Sequence, residues 1–269
     1  MRERTLCLLL GTAIAFLHSP VYAQEHGLVY SKDGSGVFGY KDTPIQPWSG
    51  YHVHDPDRPA PRKIDPGEPN ARQIPRRPPS DAIVLFEGTD VSKWRPSKWI
   101  VRDGYIEATE GSLTTRQEFG SFQLHLEWQA PERPEDDVMN RGNNGVMLMG
   151  VFEIQIYESY NTKIYPDGQA AAIYSQTPPM VNACGKPGEW QSYDITFFAP
   201  LYTDGKLTQR ARVTMFHNGV LVHHNQEIYG TTSHRRLPGD YPAGKTASPL
   251  SLAGHRSPVR FRNLWLRPL

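Results

Sequence analysis

The sequence predicts an all-β fold, a two-sheet antiparallel jelly-roll sandwich. Three observations predict it. Short segments alternate apolar and polar residues with period two, as a half-buried strand requires. Turn signals separate these segments, and 24 prolines and 23 glycines supply them. No long segment carries an apolar stripe with helical period.

The elements follow in order. Ile83-Val84-Leu85-Phe86 is a short apolar run. Trp99-Ile100-Val101-Arg102 and Tyr105-Ile106 flank Asp103-Gly104, a hairpin signal. Phe122-Gln123-Leu124-His125-Leu126-Glu127-Trp128 alternates strictly, and Phe152-Glu153-Ile154-Gln155-Ile156-Tyr157 does the same. Tyr193-Asp194-Ile195-Thr196-Phe197 and Arg212-Val213-Thr214-Met215-Phe216 continue the pattern. Asn218-Gly219 turns the chain into Val220-Leu221-Val222. The last strand is Val259-Arg260-Phe261-Arg262-Asn263-Leu264-Trp265-Leu266.

Three regions are expected. Residues 1–23 read as a secretory signal: Arg2 and Arg4 precede an apolar stretch from Leu6 to Phe16, and Ala23 offers the small residue a signal peptidase needs. Export to a periplasm or outside the cell is therefore expected, with no membrane span after cleavage, because no later apolar run reaches about 18–20 residues. Residues 24–80 hold ten prolines and lack either hydrophobic period, so they read as an extended arm. Within the arm, His52 and His54 alternate around Val53 beside Asp55, which is weak evidence for a metal. The plainer reading straps the arm over the main domain through Trp48, Tyr51 and Val53. Residues 81–269 form the sandwich.

Composition excludes several functions. Lys+Arg number 29 against 28 Asp+Glu, so nothing favours a nucleic-acid partner. There is no phosphate-binding loop, no dinucleotide fingerprint, no nucleophile elbow and no His-Glu-x-x-His. After removal of Cys7 with the signal, Cys184 remains alone; it cannot form an internal disulfide and reads as an inert, partly buried residue.

One strand face carries polar chemistry. If Phe152, Ile154 and Ile156 face the core, Glu153, Gln155 and Tyr157 share the opposite face. A carboxylate, an amide and a phenol in a row suit sugar hydroxyls, which need paired donors and acceptors. An ordinary wet strand face explains the same pattern. His217 lies at a strand end before the Asn218-Gly219 turn, and Arg260 and Arg262 share one face of the last strand. His223, His224 and His234 read as surface or loop residues.

Residues 81–269 resemble the 3-keto-disaccharide hydrolase family, whose fold is concanavalin A-like. The resemblance runs through ordered blocks. Leu85-Phe86-Glu87-Gly88-Thr89-Asp90-Val91-Ser92-Lys93-Trp94 opens them, and Gly111-Ser112-Leu113-Thr114-Thr115 and Phe119-Gly120-Ser121-Phe122-Gln123-Leu124 follow. Then come Arg141-Gly142-Asn143-Asn144-Gly145-Val146-Met147-Leu148 and Phe152-Glu153-Ile154-Gln155-Ile156-Tyr157-Glu158-Ser159. Gly188-Glu189-Trp190-Gln191-Ser192-Tyr193-Asp194 and His217-Asn218-Gly219-Val220-Leu221-Val222 complete them. The Pro-rich arm is similar to that of secreted members. The sequence departs from the family at Leu252-Ala253-Gly254-His255-Arg256, where members often carry Gln and Asp before the histidine. Glu158 stands where Asp is usual, and Asn144 where Ser is usual.

The resemblance implies a 3-keto-glycoside or 3-keto-disaccharide substrate. A C3 ketone acidifies the C2 proton; its removal allows elimination of the C1 substituent, and hydration completes a net hydrolysis. That route needs a base near C2, a donor or cation at the C3 oxygen and an acid near the leaving oxygen. Glu153, His217 and His255 are the candidate acid/base residues. Asn144, Gln155, Tyr157, Glu158 and Arg260 are the candidate sugar-binding residues. Glu153, Glu158 and asparagine side chains carry oxygens suited to a divalent cation, but no metal or cofactor is expected. A separate sugar 3-oxidoreductase would have to supply the ketone. The alternative function is a non-catalytic, lectin-like carbohydrate-binding module.

Overall fold

The computed structural model describes residues 27–67, 77–133 and 136–269. The expected signal segment, 1–23, lies outside the described residues. The strands are β1 (Val29–Tyr30), β2 (Phe38–Gly39), β3 (Arg62–Lys63), β4 (Ile83–Phe86), β5 (Ile100–Arg102) and β6 (Tyr105–Glu107). Next come β7 (Glu110–Phe119), β8 (Phe122–Gln129), β9 (Asn144–Leu148), β10 (Phe152–Ile156), β11 (Val181–Asn182) and β12 (Trp190–Phe198). The chain ends with β13 (Leu201–Thr203), β14 (Lys206–Gln209), β15 (Arg212–His217), β16 (Val220–Glu227), β17 (Ser248–His255) and β18 (Arg260–Pro268). The one helical element among the described residues is a 3-10 turn, Pro166–Gly168. It is too short to cross a membrane, and no other described helix exists to do so.

Two antiparallel sheets make the sandwich. The smaller runs β10-β9-β17-β7, and the larger runs β16-β15-β12-β8-β18-β6-β5 with β4 also on β18. Period-two alternation drives this layering. Phe152, Ile154 and Ile156 of β10 meet Leu124, Leu126 and Trp128 of β8 and Tyr193, Ile195 and Phe197 of β12 in one buried core. Each such side chain contributes about 1.5–3 kcal/mol by leaving water. The jelly-roll prediction holds. So do both hairpins: Asp103 and Gly104 carry φ of 50° and 81°, and Asn218 and Gly219 carry 52° and 79°. Positive φ at both central residues is what a two-residue turn of matching twist requires.

The N-terminal segment packs on the sandwich. β3 pairs in parallel with β11, and Phe38 bridges to Ile164. The Trp48 ring stacks on Tyr229 with centroids 4.2 Å apart, and Val53 is fully buried. His52 and His54 do not point one way. His54 has a φ of 61° rather than an extended backbone. Its ring meets Asp167, whereas the His52 ring hydrogen-bonds the Thr43 carbonyl. No cluster of three His, Cys, Asp or Glu that could hold a metal is found among the described residues.

The outward face of the large sheet is a lattice of ion pairs. His125 Nδ1 lies 2.6 Å from Asp194, and Arg262 donates to Glu127 at 2.6 Å. The His125 ring stacks on Trp265. Burial alone would lower the His125 pKa, but hydrogen bonds and charge from Asp194 and Glu127 reverse this and raise it to about 9. The folded state therefore holds a proton that the unfolded chain releases near pH 6.5. Stability from this pair is complete below pH 6.5 and declines as pH rises to about 9. Urea midpoints across that range should fall more steeply for the native chain than for His125→Gln; parallel slopes would refute the assignment.

Candidate functional site

The outward face of the small sheet is built from register. Residues directly opposite each other in antiparallel strands point to the same side. Glu153 pairs with Met147, and Met147 with Ser251; Gln155 pairs with Gly145, and Gly145 with Ala253. Ser251 and Ala253 continue to Thr114 and Ser112 on β7, and His255 stands opposite Glu110. One face therefore carries Glu153, Gln155 and His255 over a floor of small side chains. Ala253, Met147 and Thr114 are partly exposed and Ser112 is exposed, so this floor is open.

Glu153 is the unusual group on it. Its main chain is held on both sides, by N–H donation to the Thr232 hydroxyl at 2.8 Å and by a carbonyl accepting Tyr174 N–H at 3.0 Å. Its side chain lies across Gly145. A Cβ at Gly145 would sit 2.8 Å from Glu153 Cγ, 2.9 Å from Cδ and closer still to Oε1. Glycine is required there because nothing larger leaves room for the carboxyl group. No hydrogen bond from a described residue reaches that carboxyl group, and Glu153 as a whole is 8% exposed. Burial without compensation raises its pKa to about 8.

Beside Glu153 stands a wall of aromatic and imidazole rings. Tyr165 and Tyr174 share a hydroxyl–hydroxyl hydrogen bond of 3.1 Å, and Tyr174 Oη lies 2.8 Å from His234 Nδ1. The His54 ring lies 4.0 Å from Tyr165 and 5.2 Å from His234, centroid to centroid. His54 Nδ1 lies 3.2 Å from Asp167 Oδ1, and His54 Nε2 lies 3.2 Å from the Ser175 hydroxyl. The guanidinium of Arg235 caps Tyr40 at 4.0 Å and donates to its hydroxyl. His54, Ser175 and Arg235 all take positive φ, at 61°, 62° and 58°. Such backbone costs about 1–3 kcal/mol per residue and gathers at functional sites.

The two buried carboxyl groups behave oppositely. Burial would raise the Asp167 pKa, but the charge and hydrogen bonds of His54, then Arg58, hold it below the usual range. Asp167 is fixed as an anion, whereas Glu153 keeps its proton to near-neutral pH.

Several expected site residues lie elsewhere. Asn144 is on the inward side of β9, with no exposure, donating to Asn143 and Ser257 carbonyls. His217 is buried in the large sheet between Trp128 and Tyr193, with Nε2 2.9 Å from Gln191 Oε1. Arg260 lies on the far face of the large sheet, pairing with Glu107 and covering Tyr105. Glu158 closes its own turn by accepting from Asn161 N–H and the Thr162 hydroxyl. Tyr157 is buried and donates to the Val138 carbonyl. Gln155 is on the right face, yet its side-chain oxygen accepts from Ile156 N–H and it is 2% exposed. His255 shares the face of Glu153 but stands four residues beyond the Glu153 row, about 13 Å along the strand. His223 is not a surface residue: it is buried, bonded to the Ala171 carbonyl, and burial lowers its pKa to about 4. Cys184 is buried and burial pushes its thiol up to about 12, which leaves it protonated and unreactive.

With the geometry in place, the comparisons add a family. The model of a 3-keto-alpha-glucoside-1,2-lyase-like domain matches residues 81–267. The chain belongs to this family. A crystal structure of a candidate glycosyl hydrolase from Parabacteroides distasonis ATCC 8503 is 39% identical, with a TM-score of 0.67 over 71% of this chain and 84% of that one. A second candidate glycosyl hydrolase from the same organism is 20% identical, with a TM-score of 0.51 over 70% of this chain and 94% of that one, and shows the shared fold. Nothing matches among the curated proteins. The small-sheet face, Tyr165, Tyr174, His234 and Arg235 lie within the matched residues, whereas Tyr40 and His54 come from the N-terminal segment, outside residues 81–267.

Sequence reasoning missed Tyr165, Asp167, Tyr174 and Arg235, and set His234 aside as a loop residue. They lie outside the regular strands, where no periodicity marks a face.

Glu153 supplies a stability test. Between pH 4.5 and about 8 the folded state keeps its proton while the unfolded chain has lost it. Its contribution therefore falls as pH rises through that window. Glu153→Gln should raise the urea midpoint above pH 8 and change it little below pH 4.5. A variant less stable than the native chain at high pH would contradict a desolvated, unpaired carboxylate.

Proposed function

We propose that the chain is a carbohydrate-active enzyme that cleaves 3-keto-glycosides, with Glu153 as the base that removes the C2 proton. One observation carries the reading: a carboxyl group to which no described residue donates, its pKa raised to about 8, lies across Gly145 on a partly exposed strand face. A base poised near the working pH combines useful strength with a useful ionised fraction. The family described as 3-keto-alpha-glucoside-1,2-lyase-like supports the substrate class. The relatives named as candidate glycosyl hydrolases support action on a glycosidic bond.

The chemistry balances without a redox cofactor. The ketone at C3 makes the C2 proton acidic. Glu153 takes that proton, and the C2–H electrons move toward the C3 oxygen as an enolate. The enolate then re-forms the ketone, C1–C2 becomes a double bond, and the C1–O bond breaks. The leaving oxygen departs with a proton as an alcohol or sugar. Water added to the resulting enone at C1 gives the 3-keto sugar, so elimination and hydration together amount to hydrolysis. The ketone itself must come from an oxidoreductase acting before this chain. An export signal would place the reaction in a periplasm or outside the cell.

The wall has a distinct task. Tyr174 is held at its main chain by the Glu153 carbonyl and at its hydroxyl by the exposed His234 ring, which fixes its position beside Glu153. Asp167 and His54 hold the rings from behind.

The deciding experiment compares a 3-keto-glucoside bearing a chromogenic leaving group with the parent glucoside. Release is expected from the keto form alone. Glu153→Gln should lower kcat by about 10²–10⁴-fold while preserving binding of the parent glucoside. The native kcat/KM should rise with pH through about 8, because the base must be ionised. Equal release from both glucosides, or native-like turnover by Glu153→Gln, would overturn the assignment. Binding of both without any release would make the chain a lectin-like module.

Gly145 gives a separate check. Gly145→Ala forces the Glu153 carboxyl group aside. Its turnover should fall by at least about 10²-fold, the scale of a misplaced catalytic group. Unchanged turnover would show that the Glu153 position over Gly145 does not matter.

A further inference from the structure

Gln155 carries an amide that the fold holds at one end and leaves unused at the other. The residue is 2% exposed, and its Oε1 accepts the Ile156 N–H at 3.1 Å. An N–H faces the oxygen of an amide, so this bond fixes which end is Nε2. Among the described residues none accepts a hydrogen bond from Nε2. Nor is Nε2 one of the enclosed polar atoms without a partner, such as Asn144 Oδ1 and Gln169 Oε1. The small open part of Gln155 therefore includes this nitrogen. A nearly buried donor without an acceptor costs free energy until an oxygen takes it up.

Register puts this amide beside the Glu153 carboxyl group. The two residues share one face of β10, two positions and about 7 Å apart. Gly145 stands directly opposite Gln155, and opposed Cβ positions are about 4.5–5.5 Å apart. The Glu153 side chain leans across that glycine, with Cδ 2.9 Å from where a Cβ would be. The carboxyl group thus stands in the row of Gln155 rather than in its own. That row continues from Gly145 to Ala253 and Ser112, all small, which leaves room for a sugar ring above it. Burial is the only influence on the Glu153 pKa, so no cation stands beside it. Arg260 lies on the far face of the large sheet. Ser112, the other side-chain donor of the row, is three strands away, about 14 Å.

We propose that the Gln155 amide is the oxyanion donor of this site: Nε2–H hydrogen-bonds the C3 oxygen of the sugar, and the bond strengthens as that oxygen becomes an enolate. The inference rests on the proposed function, which needs such a donor and leaves it unassigned. Glu153 takes the C2 proton, the C2–H electron pair moves toward C3, and charge collects on the C3 oxygen facing Nε2. No proton leaves Gln155. When the C1–O bond breaks, the charge returns through C2 and the ketone re-forms. The C2 hydrogen and the C3 oxygen sit on adjacent carbons, so base and donor have to stand side by side, as these two residues do. A neutral donor also leaves the carboxylate basic, where a neighbouring cation would weaken it. Withdrawal from water makes one such bond worth more than it is in solvent.

The test uses the full chain and the chromogenic 3-keto-glucoside, with carbon-13 at C3 for spectroscopy. Gln155→Met, similar in shape but without the amide, should lower kcat by about 10²–10³-fold, the usual loss for one oxyanion donor. Binding of the parent glucoside should be retained. If loss of the Ile156 N–H acceptor unfolds that variant, Gln155→Glu keeps an oxygen there and replaces the donor; its kcat should fall at least as far. The polarisation itself is read in a Glu153→Gln background, which holds the ketone without turnover. There the C3 resonance of the bound sugar should move downfield, and adding Gln155→Met should abolish the move, which a purely structural role would not do. Native-like kcat in Gln155→Met overturns the inference and leaves the role of Glu153 standing. A C3 resonance that moves equally with and without the amide does the same, even where kcat falls. Failure of the native chain to release the leaving group from the keto-glucoside, or equal release from the parent glucoside, overturns the proposed function, and this inference with it.

Discussion

A single buried carboxylate, Asp167, joins the N-terminal segment to the sandwich. It accepts hydrogen bonds from the Gln46 side chain at 3.0 Å and the His54 N–H at 3.1 Å, and it faces the His54 ring at 3.2 Å. Arg58 approaches it at 3.9 Å. Each of these partners belongs to the N-terminal segment, while Asp167 belongs to the 3-10 turn after the small sheet's edge strand. A buried charge deprived of its partners costs several kcal/mol, so the two parts of the chain are held to one arrangement. The packing of His54 against Tyr165, and the seating of Tyr40 under Arg235, follow from that arrangement.

The same neighbourhood treats its second carboxyl group differently. Glu153 receives burial without donors, and Asp167 receives burial with four sources of compensation. Both are largely withdrawn from water, but only one keeps its charge. The environment, rather than the residue type, separates a permanent anion from a group able to trade a proton. The cost of keeping Glu153 unpaired is met by the core beneath it, where Phe152 and Ile154 on the same strand are fully buried.

Much of the fold was legible because alternation is a local property. In β10, apolar residues at every second position placed Glu153 and Gln155 together on the other face, and the register confirms it. The Asp103-Gly104 and Asn218-Gly219 turns were legible because positive φ restricts residue choice. The candidate site was legible only in part. Asn144 and Arg260 are polar residues in strands, yet alternation within one strand does not say which sheet holds it or what faces outward. His217 sits at a strand end with a buried ring, and its partner Gln191 is on a neighbouring strand. Tyr174, His234 and Arg235 were illegible as a group because they converge from separate loops.

The sequence by itself determined the strands, their two faces, the main turns and the presence of a carboxyl group on a polar face. Those follow from period-two geometry and the φ preferences of a few residues. Only the tertiary structure decided which polar positions share one face and which are spent on ion pairs or turns. It also decided that Glu153 is desolvated and that Arg235 lies over the Tyr40 ring. The physical reason is that burial and electrostatics depend on what packs against a residue. For Glu153 those neighbours are Gly145, Tyr174 and Thr232, each brought in by a different segment of the chain.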